Sequence, residues 1–118
     1  MEKKHTGGCH CGKVRYEVEL DATAEAVECN CSHCAVKGLL FQFVPAEKFT
    51  LTSGEDETTE YRFNKHHIDH RFCSTCGVQP FGQAAGPDGT MMVAVNIRTI
   101  DGIDLDTVPR KKVDGKSF

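Results

Sequence analysis

The chain has 118 residues, 39% of them hydrophobic and 26% charged, with a net charge of −3. This composition is that of an ordinary globular protein, and the length is close to the commonest domain size, so we expect a single domain over residues 1–118. The slight negative charge gives no electrostatic basis for a nucleic-acid partner or for binding to an anionic membrane.

The sequence offers no segment that predicts export or membrane insertion. The first residues, "MEKKHTGG", lack the apolar core of a signal peptide, and the most apolar run, "LLFQFV" at 39–44, is too short to cross a bilayer. We therefore expect a cytoplasmic protein with no membrane partner. In that reducing compartment, cysteines seldom form structural disulfides.

Strand patterns recur along the chain. The first, "KVRYEVEL" at 13–20, alternates Val14, Tyr16, Val18 and Leu20 with charged residues, which predicts a half-buried strand. Further strands are predicted at 39–44, 49–54, 59–64, 67–73, 78–84 and 90–96. Because 49–54 and 59–64 flank the acidic turn "GEDET", we expect these two strands to form a hairpin.

Helical periodicity is short wherever it occurs. One turn is expected at 32–36 and another at 45–49. Short strands separated by Gly- and Pro-rich turns are typical of a mainly β fold, so we expect small antiparallel sheets with little helix.

The seven cysteines form three clusters: "CHC" at 9–11, "CNCSHC" at 29–34 and "CSTC" at 73–76. An odd number of thiols at such short spacings favours metal ligands over a disulfide framework. Zinc holds sulfurs at about 2.3 Å in a tetrahedron, so its ligand sulfurs lie roughly 3.8 Å apart, which C-x-C and C-x-x-C spacings allow. Gly12 and Gly77 follow two clusters and would let the backbone turn closely around the sulfurs. Thiolate-rich sets also suit iron–sulfur clusters, so the pattern is more specific for metal than for zinc.

Spacing alone allows two ways to combine the clusters. Two C-x-x-C pairs, Cys31 with Cys34 and Cys73 with Cys76, could form one ribbon-like site, which would leave Cys9, Cys11 and Cys29 apart. The alternative joins Cys9, Cys11, Cys73 and Cys76 and leaves Cys29, Cys31 and Cys34 as a separate set of three. We favour the second arrangement because each cluster then stays whole.

The two sets would differ in chemistry. A zinc ion with four thiolates is coordinatively saturated and stabilises the fold, whereas one with three thiolates keeps a position open for water or substrate. Thiolate ligands make the metal soft, so the open position would suit a substrate thiol, whose pKa falls on binding. The set of three therefore indicates sulfur chemistry.

The motifs "GGCHCGKVRYEV", "CNCSHC" and "FCSTCG", with "VNIRTIDGIDLDTVP" and the closing "DGKSF", resemble the glutathione-dependent formaldehyde-activating enzyme family, also called the centromere protein V family. The resemblance implies a mainly β fold around a structural zinc held by Cys9, Cys11, Cys73 and Cys76. It implies a second, catalytic zinc at Cys29, Cys31 and Cys34. The implied activity is that of a carbon–sulfur lyase, the reversible joining of glutathione and formaldehyde as S-(hydroxymethyl)glutathione.

Other residues are weaker candidates. His33, between two cysteines, could reach the open position of the second zinc or shuttle a proton, although an exposed loop residue explains it as well. Within "HHIDH", strand alternation would place His66 and His70 on one face. Residues that could line the pocket, or contact the carboxylates of glutathione, are Gln79, Phe81, Asn96, Lys37, Arg71 and Arg98.

A function of a different class also fits the cysteines. All seven could serve structure alone, in a non-catalytic zinc-binding domain that binds a protein partner. The two hypotheses differ in whether Cys29, Cys31 and Cys34 are needed for folding or for turnover.

Overall fold

The structure, a computed structural model, describes residues 2–30, 32–62, 69–86 and 88–113. These residues form two sheets. The smaller has three antiparallel strands in the order β1–β2–β5: β1 is Lys3–Gly8, β2 is Arg15–Leu20 and β5 is Phe49–Ser53. This confirms the expectation of a mainly β fold.

The larger sheet has seven strands in the order β10–β3–β4–β9–β8–β7–β6. They are β3 (Ala26–Cys29), β4 (Phe41–Pro45), β6 (Thr58–Tyr61), β7 (Asp69–Cys73), β8 (Phe81–Ala85), β9 (Met91–Asn96) and β10 (Arg110–Val113). Every pair is antiparallel except β10 with β3, which run parallel. Little of the described chain is helical. It contains one α-helix, α1 (Ser32–Lys37), and 3₁₀ turns at Ala46–Lys48, Glu55–Glu57, Ile97–Thr99 and Leu105–Thr107. Within these ranges, no helix has the length and apolarity needed to span a membrane.

The main core lies between the two sheets. The alternating face predicted for β2 is buried as expected, with Tyr16, Val18 and Leu20 each no more than 2% exposed. This face packs against side chains of the larger sheet, including Val95 of β9. Aromatic rings continue the contact, since Phe49 lies 5.1 Å from Tyr16 and 4.8 Å from Phe81 between ring centroids. Burial of one strand face thus joins the sheets.

The predicted hairpin between 49–54 and 59–64 is wrong. β5 pairs with β2 in the smaller sheet, whereas β6 pairs with β7 in the larger one. The chain changes sheet at Gly54, whose φ is +87°, and at the 3₁₀ turn Glu55–Glu57 that follows. A Cβ at Gly54 would lie 2.4 Å from the Lys13 carbonyl oxygen, so close packing against the β1–β2 connection directs this turn.

Three strands were not predicted: β1, β3 and β10. β1 reads "KKHTGG" and β10 reads "RKKV", so neither has the apolar alternation that marks a half-buried strand. Both lie at a sheet edge, where pairing requires only one partner. The strand predicted at 78–84 begins later, at Phe81, directly after Pro80, which has no N–H to donate to a neighbouring strand.

Candidate metal centre and thiol site

Cys9, Cys11, Cys73 and Cys76 come together at the junction of the two sheets, and we call them the four-sulfur group. Cys9 and Cys11 follow β1, and Cys73 ends β7. The four sulfurs all lie within 4.8 Å of one another, with Cys9–Cys11 at 3.5 Å and Cys11–Cys73 at 3.6 Å. These separations fit the roughly 3.8 Å between ligands of a tetrahedral zinc. The group could therefore hold a metal ion.

Backbone amides point at these sulfurs. The Val14 N–H donates to the Cys9 sulfur at 3.3 Å, and the Thr75 and Cys76 N–H groups donate to the Cys73 sulfur at 3.4 and 3.5 Å. Positive φ angles of 85° at Gly12 and 83° at Gly77 provide the close turns expected of these glycines. Such N–H···S bonds offset the negative charge that several thiolates would accumulate.

The thiols of the group differ in acidity. Burial acts to raise the pKa of Cys76, but hydrogen bonds from the amides of Val78 and Cys11 and from neighbouring thiols outweigh it and lower the pKa to about 6. The Lys13 amide acts to lower the pKa of Cys11, yet burial and the neighbouring thiols raise it to about 11. The lowered pKa favours the thiolate form of Cys76, and metal uptake would release the protons held by the other thiols.

Cys34 lies outside the four-sulfur group, although it is within the described residues. The structure thus brings together the four cysteines that the favoured arrangement joins, and Cys73 and Cys76 do not form a ribbon-like site with Cys34. Cys31 is outside the described residues, so the ligand role of the second cluster, Cys29, Cys31 and Cys34, stays a prediction.

The two described cysteines of the second cluster lie together. Cys29 ends β3, and Cys34 lies in α1, where it is 6% exposed. Both belong to a small apolar cluster with Leu39, Phe41 and Ala94. They also border a cavity of about 500 Å³, which we call the cationic cavity because Arg98 and Lys112 line it, together with Asn30 and Gly38. A volume of this size is typical of small-molecule sites.

The acid that lines the cationic cavity has an ion-pair partner, whereas the two cations do not have one among the described residues. Glu28, also in its lining, accepts a hydrogen bond from Arg110 at 3.2 Å. Arg98 donates from Nε to the Gly38 carbonyl at 2.8 Å, while its terminal amino groups and the Lys112 ammonium have no partner among the described residues. The cavity therefore presents two available cations next to Cys29 and Cys34.

The other suggested cations are committed elsewhere. Lys37 donates to Gln79 Oε1 at 2.9 Å and lies 4.9 Å above the Phe72 ring. Arg71 donates to Asp69 at 2.9 Å and also pairs with Glu60. Of the three candidates, Arg98 is the one that lines the cationic cavity. Lys112 was missed, because its place beside Cys29 depends on the parallel pairing of β10 with β3, which has no signal in the local sequence.

The histidines and polar candidates lie mostly in packed surroundings. His33 is half-buried in α1 rather than in a loop, with its ring 4.1 Å from His70 and 5.3 Å from Tyr61 between centroids. His70 is 1% exposed and contacts Gln79 through Nδ1 at 2.9 Å. His66 is outside the described residues. The three residues predicted to line the pocket are all buried: Gln79, Phe81 and Asn96.

A second cavity, of about 480 Å³, lies against the opposite face of α1 and is lined by His33, Lys37, Tyr61 and Phe72. Residues 33 and 37 are one turn apart on a helix, whereas Cys34 faces the cationic cavity. The short helix thus separates two concave surfaces.

The family model described as glutathione-dependent formaldehyde-activating enzyme matches residues 4–113. The chain belongs to this family. The resemblance seen in the cysteine motifs is thereby confirmed. Membership in the formaldehyde-activating enzyme family associates the chain with enzymes of glutathione and formaldehyde chemistry.

A solved structure supports the same fold. The crystal structure of a Rhodobacter sphaeroides protein is 29% identical in sequence, with a TM-score of 0.77. The alignment covers 90% of this chain and 99% of that one. The arrangement of strands is thus shared over nearly all of both proteins.

Proposed function

We propose that the protein is a zinc-dependent carbon–sulfur lyase that joins and separates formaldehyde and a small thiol, with S-(hydroxymethyl)glutathione as the adduct. The observation that carries the proposal is that Cys29 and Cys34 border the cationic cavity. Membership in the family supports glutathione and formaldehyde as the reactants. In this proposal the four-sulfur group holds a structural zinc, and Cys29, Cys31 and Cys34 hold a catalytic one.

The reaction balances without another reactant. In the joining direction the thiol sulfur donates an electron pair to the aldehyde carbon, the C–S bond forms, and the C=O π bond opens. The thiol proton ends on the former carbonyl oxygen. In the reverse direction the same proton returns to sulfur as the C–S bond breaks. Nothing is oxidised or reduced overall.

The chain's own residues would favour the charged species along this path. When bound, zinc would supply a Lewis acid that lowers the pKa of a thiol. Arg98 and Lys112 add positive charge to the same cavity, which attracts an anionic thiol to the site. The apolar packing around Cys34, from Leu39 and Phe41, limits water on the inner side of the site.

The experiment combines metal content with turnover. Wild type should contain about two zinc ions per chain and accelerate exchange between free formaldehyde and S-(hydroxymethyl)glutathione, followed by magnetization-transfer NMR. The Cys31→Ser variant should stay folded, retain about one zinc ion and lose at least about 100-fold in exchange rate.

Val36→Ala is the control, because Val36 lies in α1, the helix that contains Cys34, with 87% of its surface exposed. It should keep both metal ions and full activity. If Cys31→Ser unfolds the protein, the second cluster is structural and the non-catalytic alternative gains support. A folded wild type with two zinc ions and no exchange activity would contradict the lyase proposal directly.

A further inference from the structure

The cationic cavity contains more positive charge than its own residues neutralise. Arg98 and Lys112 both line it, and the acid in the lining, Glu28, is engaged by Arg110. With two cations and one acid in its described lining, the cavity has a net positive charge on these side chains, which attracts an anionic ligand and raises its local concentration. The charge pattern is therefore informative about which thiol enters.

Arg98 is held in a defined orientation. Its backbone N–H donates to Asn96 Oδ1 at 3.2 Å, and Asn96 is itself buried and donates to the Gln79 carbonyl at 2.9 Å. Its Nε donates to the Gly38 carbonyl, and its two terminal amino groups have no hydrogen-bond partner within the described ranges. A guanidinium fixed through Nε presents a planar pair of donors that matches the two oxygens of a carboxylate.

Lys112 is placed by the edge of the larger sheet. In the parallel pairing of β10 with β3, Lys112 stands opposite Glu28, and Val113 stands opposite Cys29. The Asn30 N–H donates to the Val113 carbonyl at 3.1 Å, so the pairing continues past the cysteine. This register fixes the base of the Lys112 side chain one residue from the level of Cys29.

We propose that Arg98 and Lys112 bind carboxylates of the thiol substrate and make the site selective for anionic thiols over neutral ones. The inference rests on the proposed function, in that the thiol occupies the cavity next to Cys29 and Cys34. Arg98 binds one carboxylate through its terminal amino groups, and Lys112 supplies a second, less directional contact. Glutathione, with two carboxylates, fits this arrangement, whereas a small neutral thiol would gain nothing from it.

The test uses S-methylglutathione, which keeps both carboxylates but has no thiol to ionise or react. Its dissociation constant is measured by isothermal titration calorimetry on the full chain purified with its metal. Arg98→Gln should weaken binding about tenfold, the effect expected for loss of charge-assisted hydrogen bonds, and Lys112→Gln should weaken it about threefold. Arg98→Lys, which keeps the charge and loses the planar fork, should fall between wild type and Arg98→Gln.

Lys111→Gln is the matched control, because it removes the same charge from the neighbouring residue of β10, which is not in the cavity lining. It should leave the dissociation constant within about twofold of wild type. The S-methyl diethyl ester of glutathione, with both carboxylates masked, should bind all variants equally weakly.

Three results would overturn the inference: no binding of S-methylglutathione to wild type, unchanged binding in Arg98→Gln, or equal weakening in Lys111→Gln. The lyase proposal fails separately. Absence of formaldehyde–glutathione exchange in wild type, with Arg98-dependent binding intact, would refute the lyase activity and leave the carboxylate site standing. Exchange activity in wild type, with binding of S-methylglutathione unaffected by Arg98→Gln, would support the lyase activity and refute the carboxylate site.

Discussion

The four-sulfur group and the second cysteine cluster are built in opposite ways. In the first, all four ligands come from the connection after β1 and from the end of β7, and backbone amides surround the sulfurs. In the second, the described cysteines lie at the end of β3 and in a six-residue helix, beside an open cavity with two available cations. A complete ligand set placed between sheets suits a role in folding, and a set next to a cavity suits chemistry.

The largest expected difference between the two regions is in stability. Cys73 is 0% exposed and lies 3.6 Å from the Cys11 sulfur, so Cys73→Ser should remove one ligand from the group that, with a metal bound, would cross-link the two sheets. We expect a loss of at least about 4 kcal/mol in the free energy of unfolding, enough to unfold much of the protein at 37 °C. Cys29→Ser, at a half-buried residue of the second cluster, should cost less than about 1.5 kcal/mol.

Urea denaturation followed by circular dichroism checks both variants, with Ser74→Ala as a control next to Cys73. Equal destabilisation by Cys73→Ser and Cys29→Ser would erase the distinction between the two regions. It would mean that both clusters are structural.

Much of this comparison could be predicted from the sequence because it depends on local pattern. The alternation in β2 identifies its buried face, and the close spacing of Cys9 with Cys11 and of Cys73 with Cys76 keeps each pair of sulfurs together before any long-range contact forms. The grouping of Cys9 and Cys11 with Cys73 and Cys76 needed one further assumption, that no cluster is divided.

What escaped prediction depends on contacts between distant segments. The chain leaves the smaller sheet at Gly54, where the Gly54 backbone packs against Lys13. No local sequence pattern predicts this contact. Lys112 reaches the second cluster only through the parallel pairing of β10 with β3, two strands far apart in sequence. In the sequence, "RKK" is a short run of charge. In the fold, one of its members lines a cavity with two cysteines.

A pair of glycines offers a second contrast between the regions. Gly54 packs against Lys13 in the β1–β2 connection, which also contains Cys11, and Gly38 lies in the lining of the cationic cavity. Both have positive φ angles, of 87° and 68°. A Cβ at Gly54 would clash with the Lys13 carbonyl, whereas one at Gly38 would meet nothing within 4 Å. Gly54→Ala should therefore destabilise the protein by about 3 kcal/mol and Gly38→Ala by about 1 kcal/mol, the shared cost of the left-handed conformation.

Thermal denaturation of both variants measures this difference directly. Similar shifts in Tm for Gly54→Ala and Gly38→Ala would show that the backbone near the four-sulfur group can move to accommodate a Cβ at Gly54. The packing that distinguishes it from the second region would then be weaker than the structure indicates.

A pH-dependent effect is expected from His70, which lies between the two regions. It lies in β7, the strand that ends at Cys73, and its ring contacts His33 in the helix that contains Cys34. Burial, followed by the charges of His33 and Lys37, lowers the pKa of His70 to about 4. Hydrogen bonding agrees with a neutral ring: Gln79 accepts from Lys37 through Oε1, so its Nε2 donates to an unprotonated His70 Nδ1.

The sign of the pH dependence follows from this lowered pKa. His70 binds a proton near pH 6.5 in the unfolded chain but only near pH 4 in the folded protein. Its contribution to the free energy of unfolding is therefore fully present above about pH 6.5 and is lost as the pH falls towards 4. Between pH 7 and 5 the loss attributable to His70 should be about 2 kcal/mol.

His70→Gln, which cannot be protonated, should lose that much less stability than wild type over the same interval. His10→Gln, at an exposed position, should match wild type. Because acid also protonates the cysteines in every variant, the difference between urea-denaturation curves is the informative quantity. If His70→Gln and wild type lose stability in parallel from pH 7 to 5, folding does not lower the pKa of His70, and the buried ring is not held neutral by its surroundings.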